Sequence, residues 1–378
     1  MTVVVHAVGA RPNFVKMAPV VEALERTGRF QQLVVHTGQH YDARMSDEIL
    51  DDLGFPEPNF FLKVGSGPHG EQTGKVLAEF ERVLMKVRPD AVVVAGDVNS
   101  TLACGLAASK LGIDVIHLEA GLRSGDWSMP EEINRVLTDR LSDVLLTHSP
   151  EAHENLENEG IDLDRIHYVG NTMIDSLRRC EHKARARRAF ADHHLDEHSY
   201  ILVTLHRPAN VDDPMRLAQI ANGLIELAAA CPVAFPVHPR TRARLSAAGD
   251  LDRLETAGVQ CIEPLAYLDF LSMQAGAGAI LTDSGGVQEE ASALGISCYT
   301  FRPNTERPLT VSHGTNVLLG DDPSLISCIR PSPWGPTPSA IPLWDGHAGE
   351  RVADVLVERY AVRELMEAGA GASRAARS

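Results

Sequence analysis

Positive charge is scarce in this chain. Over 378 residues, 35 Lys and Arg stand against 51 Asp and Glu, a formal net charge of −16. No basic surface is expected for nucleic acid or for anionic lipid, so an anionic ligand has to be held by a few placed Arg and His side chains. Long apolar runs are missing as well, and none approaches membrane-spanning length. The strand-like Val3-Val4-Val5 opens the chain with no basic region and apolar stretch ahead of it, so no signal peptide is expected and the expected location is cytoplasmic. The six cysteines (Cys104, Cys180, Cys231, Cys261, Cys298, Cys328) form no CxxC or CxxxH pair. That scatter argues against a structural zinc site and for reduced thiols. The first strand runs into Gly9-Ala10-Arg11-Pro12 rather than GxGxxG, which removes the usual support for NAD.

What the chain does have is an alternation of apolar strands and amphipathic helices, with a length that suits two domains. Residues 3–8, 33–36, 91–95, 115–118, 143–148 and 165–169 read as strands of a first series of βα units. A second series begins at Tyr200, with strands over 201–204, 233–237, 259–263, 279–282 and 297–301. An Arg-rich helical stretch, 173–190, reads as a connector, and Pro-rich 331–342 as a crossing linker. A last helix is expected over 349–360, with a frayed Ala/Gly/Ser/Arg-rich end beyond Met366.

The stretch 279–291, AILTDSGGVQEEA, carries the most chemistry. A short buried strand turns through Ser284-Gly285-Gly286 and opens into a helix. Two glycines allow close backbone approach, and a helix start offers unpaired N–H groups at a positive dipole end. At the carboxyl end of a strand this is a seat for phosphate, although glycines in a βα turn also simply relieve strain.

Other strand ends carry charge. Arg11 and Lys16 follow strand one, as solvated cations or as anion contacts. Asp97 follows residues 91–95 and serves as a helix cap or as a catalytic group. Glu119 follows 115–118. Glu131 and Glu132 start a helix behind Pro130, where acidic residues ordinarily serve the dipole. In a doubly wound sheet Asp97, Glu119 and Glu131 converge on one crevice. No His pattern supports a metal among them, so proton transfer is the better reading. His206 and Arg207 end strand 201–204 in the second series.

These motifs resemble the non-hydrolysing UDP-N-acetylglucosamine 2-epimerases. The matches run over nearly the whole chain in the family's order: GARPNFVKMAPV, TGQH, VAGDVNST, HLEAGLRS, MPEEINR, VTLHRPAN, LTDSGGVQEEA, NTERP, GTN and PLWDG. The resemblance implies an α/β fold of two Rossmann-like domains facing a central cleft, of the glycosyltransferase-B type. It implies an N-terminal domain over 1–170 with the helix 345–362 packing back on it, a UDP-binding domain over 171–344, and a flexible tail at 363–378. The implied reaction inverts C2 of UDP-N-acetylglucosamine to give UDP-N-acetylmannosamine. UDP is expelled as the C2 proton leaves, and it adds back to a 2-acetamidoglucal intermediate with protonation on the opposite face. No cofactor is needed, and a homodimer is implied.

Carried over by motif, Asp97, Glu119 and Glu131 are the acid/base group, with His206 also catalytic. Arg11, Lys16, Arg135 and Arg207 line the cleft towards sugar and diphosphate. Ser284, Gly285 and Gly286 hold phosphate, Glu290 the ribose, Phe270 the uracil, and Arg307 approaches the sugar. The alternatives are a hydrolysing epimerase that releases UDP and N-acetylmannosamine, a UDP-sugar-dependent glycosyltransferase of the same fold, and a non-catalytic sensor. The chain departs from the family at Asn13, where an acidic residue is commoner, and at Pro208-Ala209, where Arg-Glu is common. The loop before the PEE motif is also short. These departures bear on sugar specificity more than on reaction type.

Overall fold

The computed structural model describes residues 1–38, 50–332 and 340–375, with side chains described as far as residue 362. The chain divides into two compact units, Met1–Ser176 with Pro342–Ser378, and Leu177–Ile341.

Seven strands build the first unit's sheet: β1 (Thr2–Val8), β2 (Phe30–His36), β3 (Phe60–Phe61), β4 (Ala91–Ala95), β5 (Asp114–Ala120), β6 (Val144–Thr147) and β7 (Ile166–Tyr168). Their order is β3-β2-β1-β4-β5-β6-β7, and every pairing is parallel. Six strands build the second: β8 (Ile201–Thr204), β9 (Val233–Pro236), β10 (Val259–Ile262), β11 (Ala279–Thr282), β12 (Cys298–Thr300) and β13 (Asn316–Leu318), in the order β10-β9-β8-β11-β12-β13, again parallel.

The central strands are apolar along their whole length because helices cover both faces. All five residues of β4 are buried, and so are all four of β11. In the first unit Val5, Val92 and Val94 pack with Val76, Phe80 and Leu84 of the helix His69–Val87. In the second, Ile201, Val203 and Leu281 face one helical layer, while Leu202 and Ile280 face another. Each fully buried side chain of this size contributes about 1.5–3 kcal/mol.

Strand order reverses between β1 and β4 in one sheet and between β8 and β11 in the other, and open α/β sheets bind ligands at such points. The chain leaves the second unit at Ile341 and returns to the first. The helix Ala348–Ala375 then packs on the helix Arg11–Thr27, where Gly349 lies so close to Pro19 that a Cβ would stand 2.6 Å from the Pro19 oxygen. The backbone is helical through the segment expected as a tail, as far as Ala375, and residues 376–378 lie outside the described residues. So do residues 333–339 of the Pro-rich linker and the last two residues of TGQH.

Candidate active site

In the first unit Lys16 pairs with Glu119 and Asp97 with Arg135 around the switch point. The turn after β4 is left-handed at Gly96 (φ 69°), and a Cβ there would meet Lys16 Nζ at 3.3 Å and Glu119 Oε2 at 3.5 Å. The left-handed backbone favours glycine at this turn, which lies against the Lys16–Glu119 ion pair. Glu119 is buried at a register shift between β5 and β6 and adopts φ 70°, a conformation that L side chains other than Asn and Asp rarely hold. Backbone strain of this kind concentrates at functional positions.

Asp97 follows directly. Its Oδ2 pairs with Arg135 Nη2 at 2.5 Å, and Arg135 Nη1 reaches Glu132 Oε2 at 2.6 Å. Arg135 is only 2 % exposed, so in this structure it holds Asp97 in place rather than presenting an open cation. Glu132 also accepts from Ser124 N, Ser124 Oγ and Gly125 N, tying down the loop before its helix. Its neighbour Glu131 is half-buried and has no partner among the described residues. Arg11, half-buried, begins the helix Arg11–Thr27.

Sequence reasoning missed the framework behind this group. Asn13 accepts from Gly9 N (3.1 Å) and Ala10 N (2.9 Å) and donates to Ala95 O (2.9 Å). A carboxylate could not make that third bond, so the departure at Asn13 lies in the clip that joins the loops after β1 and β4. Buried His117 bridges Gly96 O (2.9 Å) and Asp139 Oδ1 (2.6 Å), and Asp139 Oδ2 accepts from Gly121 N at 3.2 Å. Its place inside a strand's apolar run was the one available signal.

In the second unit the helix Gly285–Leu294 starts at the carboxyl end of β11. Ser284 is its N-cap but makes no side-chain cap bond, so its hydroxyl is available beside the first helical N–H groups. A Cβ on Gly285 would stand 2.4 Å from Arg307 Nη1; the bare glycine brings that guanidinium against the helix start. Arg307 also pairs with Glu306 (2.8 Å) and Glu289 (3.2 Å), and Arg207 reaches Glu306 at 3.3 Å. Burial works against ionisation of Glu306, but Arg307, Arg302 and Arg207 hold its carboxyl far below the usual range. The arginines expected at the diphosphate are thus braced by a buried anion.

Glu290 is buried and accepts from Gln274 Nε2 at 2.6 Å, and Phe270 lies half-buried on the helix Tyr267–Gly276, against the β8–β11 core. His206 and Arg207 follow β8, facing Asp283 across the switch point. Pro208 and Ala209 begin the short helix Pro208–Val211 and are exposed. Among the described residues no group of three or more His, Cys, Asp and Glu is placed to hold a metal ion.

Two parallel sheets with charge-lined switch points, one carrying an open helix N-terminus and the other acid–base pairs, belong to an α/β enzyme. Its family follows from comparison: the chain belongs to the UDP-N-acetylglucosamine 2-epimerase family, whose model matches residues 22–357. It is 45 % identical over 356 residues to the UDP-N-acetylglucosamine 2-epimerase of Methanocaldococcus jannaschii, spanning 92 % of this chain and 97 % of that protein. It is 44 % identical over 317 residues to the UDP-2,3-diacetamido-2,3-dideoxy-D-glucuronate 2-epimerase of Pseudomonas aeruginosa, spanning 83 % and 87 %. A solved structure of the Methanocaldococcus jannaschii UDP-GlcNAc 2-epimerase in complex with UDP-GlcNAc and UDP matches with a TM-score of 0.87 at 43 % identity, covering 95 % of this chain and all of that one.

Proposed function

We propose that the protein interconverts UDP-N-acetylglucosamine and UDP-N-acetylmannosamine without hydrolysis. The C2 proton is removed as the C1–O bond to UDP breaks, giving 2-acetamidoglucal and UDP. UDP then adds back to C1 while C2 takes a proton on the opposite face. The oxidation state is unchanged overall, so no redox cofactor is called for. The observation that supports this reading most is the 43 % identical epimerase structure that holds UDP-GlcNAc and UDP.

In this reading Asp97, Glu119 and Glu131 carry the C2 protons, with Lys16 and Arg135 holding the first two in place. Arg11 and Arg207 face sugar and diphosphate. Ser284, Gly285 and Gly286 take the phosphates at a helix N-terminus, with Arg307 offsetting charge as UDP departs. Glu290 and Phe270 take ribose and uracil. We further place the enzyme in the cytoplasm as a homodimer. Six cysteines outside any disulfide and the lack of any membrane-length apolar helix among the described residues fit that placement, and sedimentation at twice the chain mass checks the dimer.

The 44 % identity to the Pseudomonas aeruginosa relative favours a second substrate, a UDP-diacetamido-uronate inverted by the same chemistry. Incubating the purified protein with each sugar nucleotide alone, with products followed by NMR, separates the readings. UDP-N-acetylmannosamine from UDP-N-acetylglucosamine supports the main one. Free N-acetylmannosamine with UDP marks a hydrolysing enzyme, and turnover of the uronate alone marks the second substrate. An unchanged sugar nucleotide in both tubes removes the epimerase reading.

A further inference from the structure

We propose that Asp283 is a positioning residue for His206. It holds the ring through Nδ1 and leaves Nε2 as the atom that exchanges a proton. The proposal rests on the epimerase reading of this site.

Asp283 follows β11 and His206 follows β8, neighbouring strands in register at Thr282 and Thr204. The two residues therefore face each other across the switch point. Asp283 is completely buried. A buried carboxylate stays ionised only when donors surround it. Here it accepts from His206 N (3.1 Å), Arg207 N (3.0 Å) and Asn210 Nδ2 (3.0 Å), and its Oδ1 lies 3.1 Å from Nδ1 of the His206 ring, at ion-pair distance. Burial works against its ionisation, yet the ring, Asn210 and Arg207 N–H hold its carboxyl below the ordinary value.

A carboxylate accepts and does not donate, so Nδ1 carries the ring proton. In the neutral ring the lone pair is then at Nε2. That atom has no partner among the described residues, and the His206 side chain is 41 % exposed while Asp283 is sealed. The His238 ring lies near the His206 ring as well, 5.9 Å away between centroids. A proton taken up at Nε2 gives an imidazolium whose charge the buried carboxylate offsets. A purely structural Asp283 needs only the backbone and Asn210 donors; the ring contact is what ties it to chemistry.

The test is Asp283→Asn, which keeps the size and one acceptor oxygen but puts an NH2 group towards the ring. The neutral ring then carries its proton on Nε2 and cannot accept there. We expect kcat to fall about 10²-fold or more, with KM and the UDP Kd changed by less than about three-fold. The double variant His206→Ala with Asp283→Asn should be no slower than His206→Ala alone. A second readout needs neither turnover nor substrate. In protein labelled with ¹⁵N-histidine, with His206 assigned by its loss in His206→Ala, the parent should show the Nδ1–H tautomer and Asp283→Asn the Nε2–H tautomer. A parent ring in the Nε2–H form, losses that multiply in the double variant, or a UDP Kd weakened as much as kcat would overturn the proposal. The tautomer is read even in a protein that proves not to be an epimerase, so the two readings fail separately.

Discussion

Glu131 and Glu132 are adjacent, chemically identical and differently employed. Glu132 is buried under bonds from Ser124, Gly125 and Arg135, whereas Glu131 stands half-buried with no partner among the described residues. A group that must take and return a proton works best when nothing else holds that proton's position. Replacing Glu131 by Gln keeps the shape and removes the accepting charge, and turnover should drop on the order of 10²-fold. Near-normal turnover would return Glu131 to serving the helix dipole. The motif singled out Glu131, but the role of Glu132 shows only when residues 122–130 fold back onto it. Asp283 escaped notice for a similar reason. It sits inside the best-read motif, but its partners His206 and Asn210 lie more than 70 residues away. Asn13 was legible only as a departure; its clip to Ala95 O required the sheet order.

Among the elements, the helix Gly285–Leu294 read most clearly, because a short apolar strand, two glycines and a helix start are all local signals. Its N-cap Ser284 leaves its hydroxyl unused. Ser284→Ala should therefore barely change Tm but raise the Kd for UDP about ten-fold, the value of one charge-assisted hydrogen bond. Titration calorimetry with UDP alone checks this, and an unchanged Kd would remove Ser284 from the phosphate site. The edge strands β3 and β13 were missed because they are only two and three residues long.

The return helix Ala348–Ala375 was foreseen over 349–360 from the residues and over 345–362 from the resemblance, but its anchor at Asp175 was not foreseen. Asp175 Oδ2 accepts from Gly349 N at 2.7 Å at the start of that helix. Burial pushes the Asp175 carboxyl up from its ordinary 3.8 to about 6, against the bonds from Gly349 and Ala348. Its folded pKa lies above its unfolded one, so its contribution is fully present below about pH 4 and is lost as the pH rises through about 6. Asp175→Asn keeps an acceptor for Gly349 and removes the charge. The Tm of the variant relative to the parent should accordingly be higher at about pH 7.5 than at about pH 4.5. A difference that does not change with pH would contradict the assignment.

For the whole molecule, repeated βα units announced two parallel sheets because strands buried on both faces read as unbroken apolar runs. Strand order was less accessible from the runs themselves, since each crossover looks alike until its neighbours are known. It is the order β1-β4-β5 and β8-β11 that puts Lys16 beside Glu119 and Asp283 beside His206. The central proposal is that Asp97, Glu119 and Glu131 move the proton at C2 rather than at any other carbon. It is tested most directly by converting UDP-N-acetylglucosamine in D2O and reading C2 of the product by NMR. Elimination and re-addition predict UDP-N-acetylmannosamine carrying deuterium at C2. Product formed at the normal rate with only protium at C2 would contradict the account.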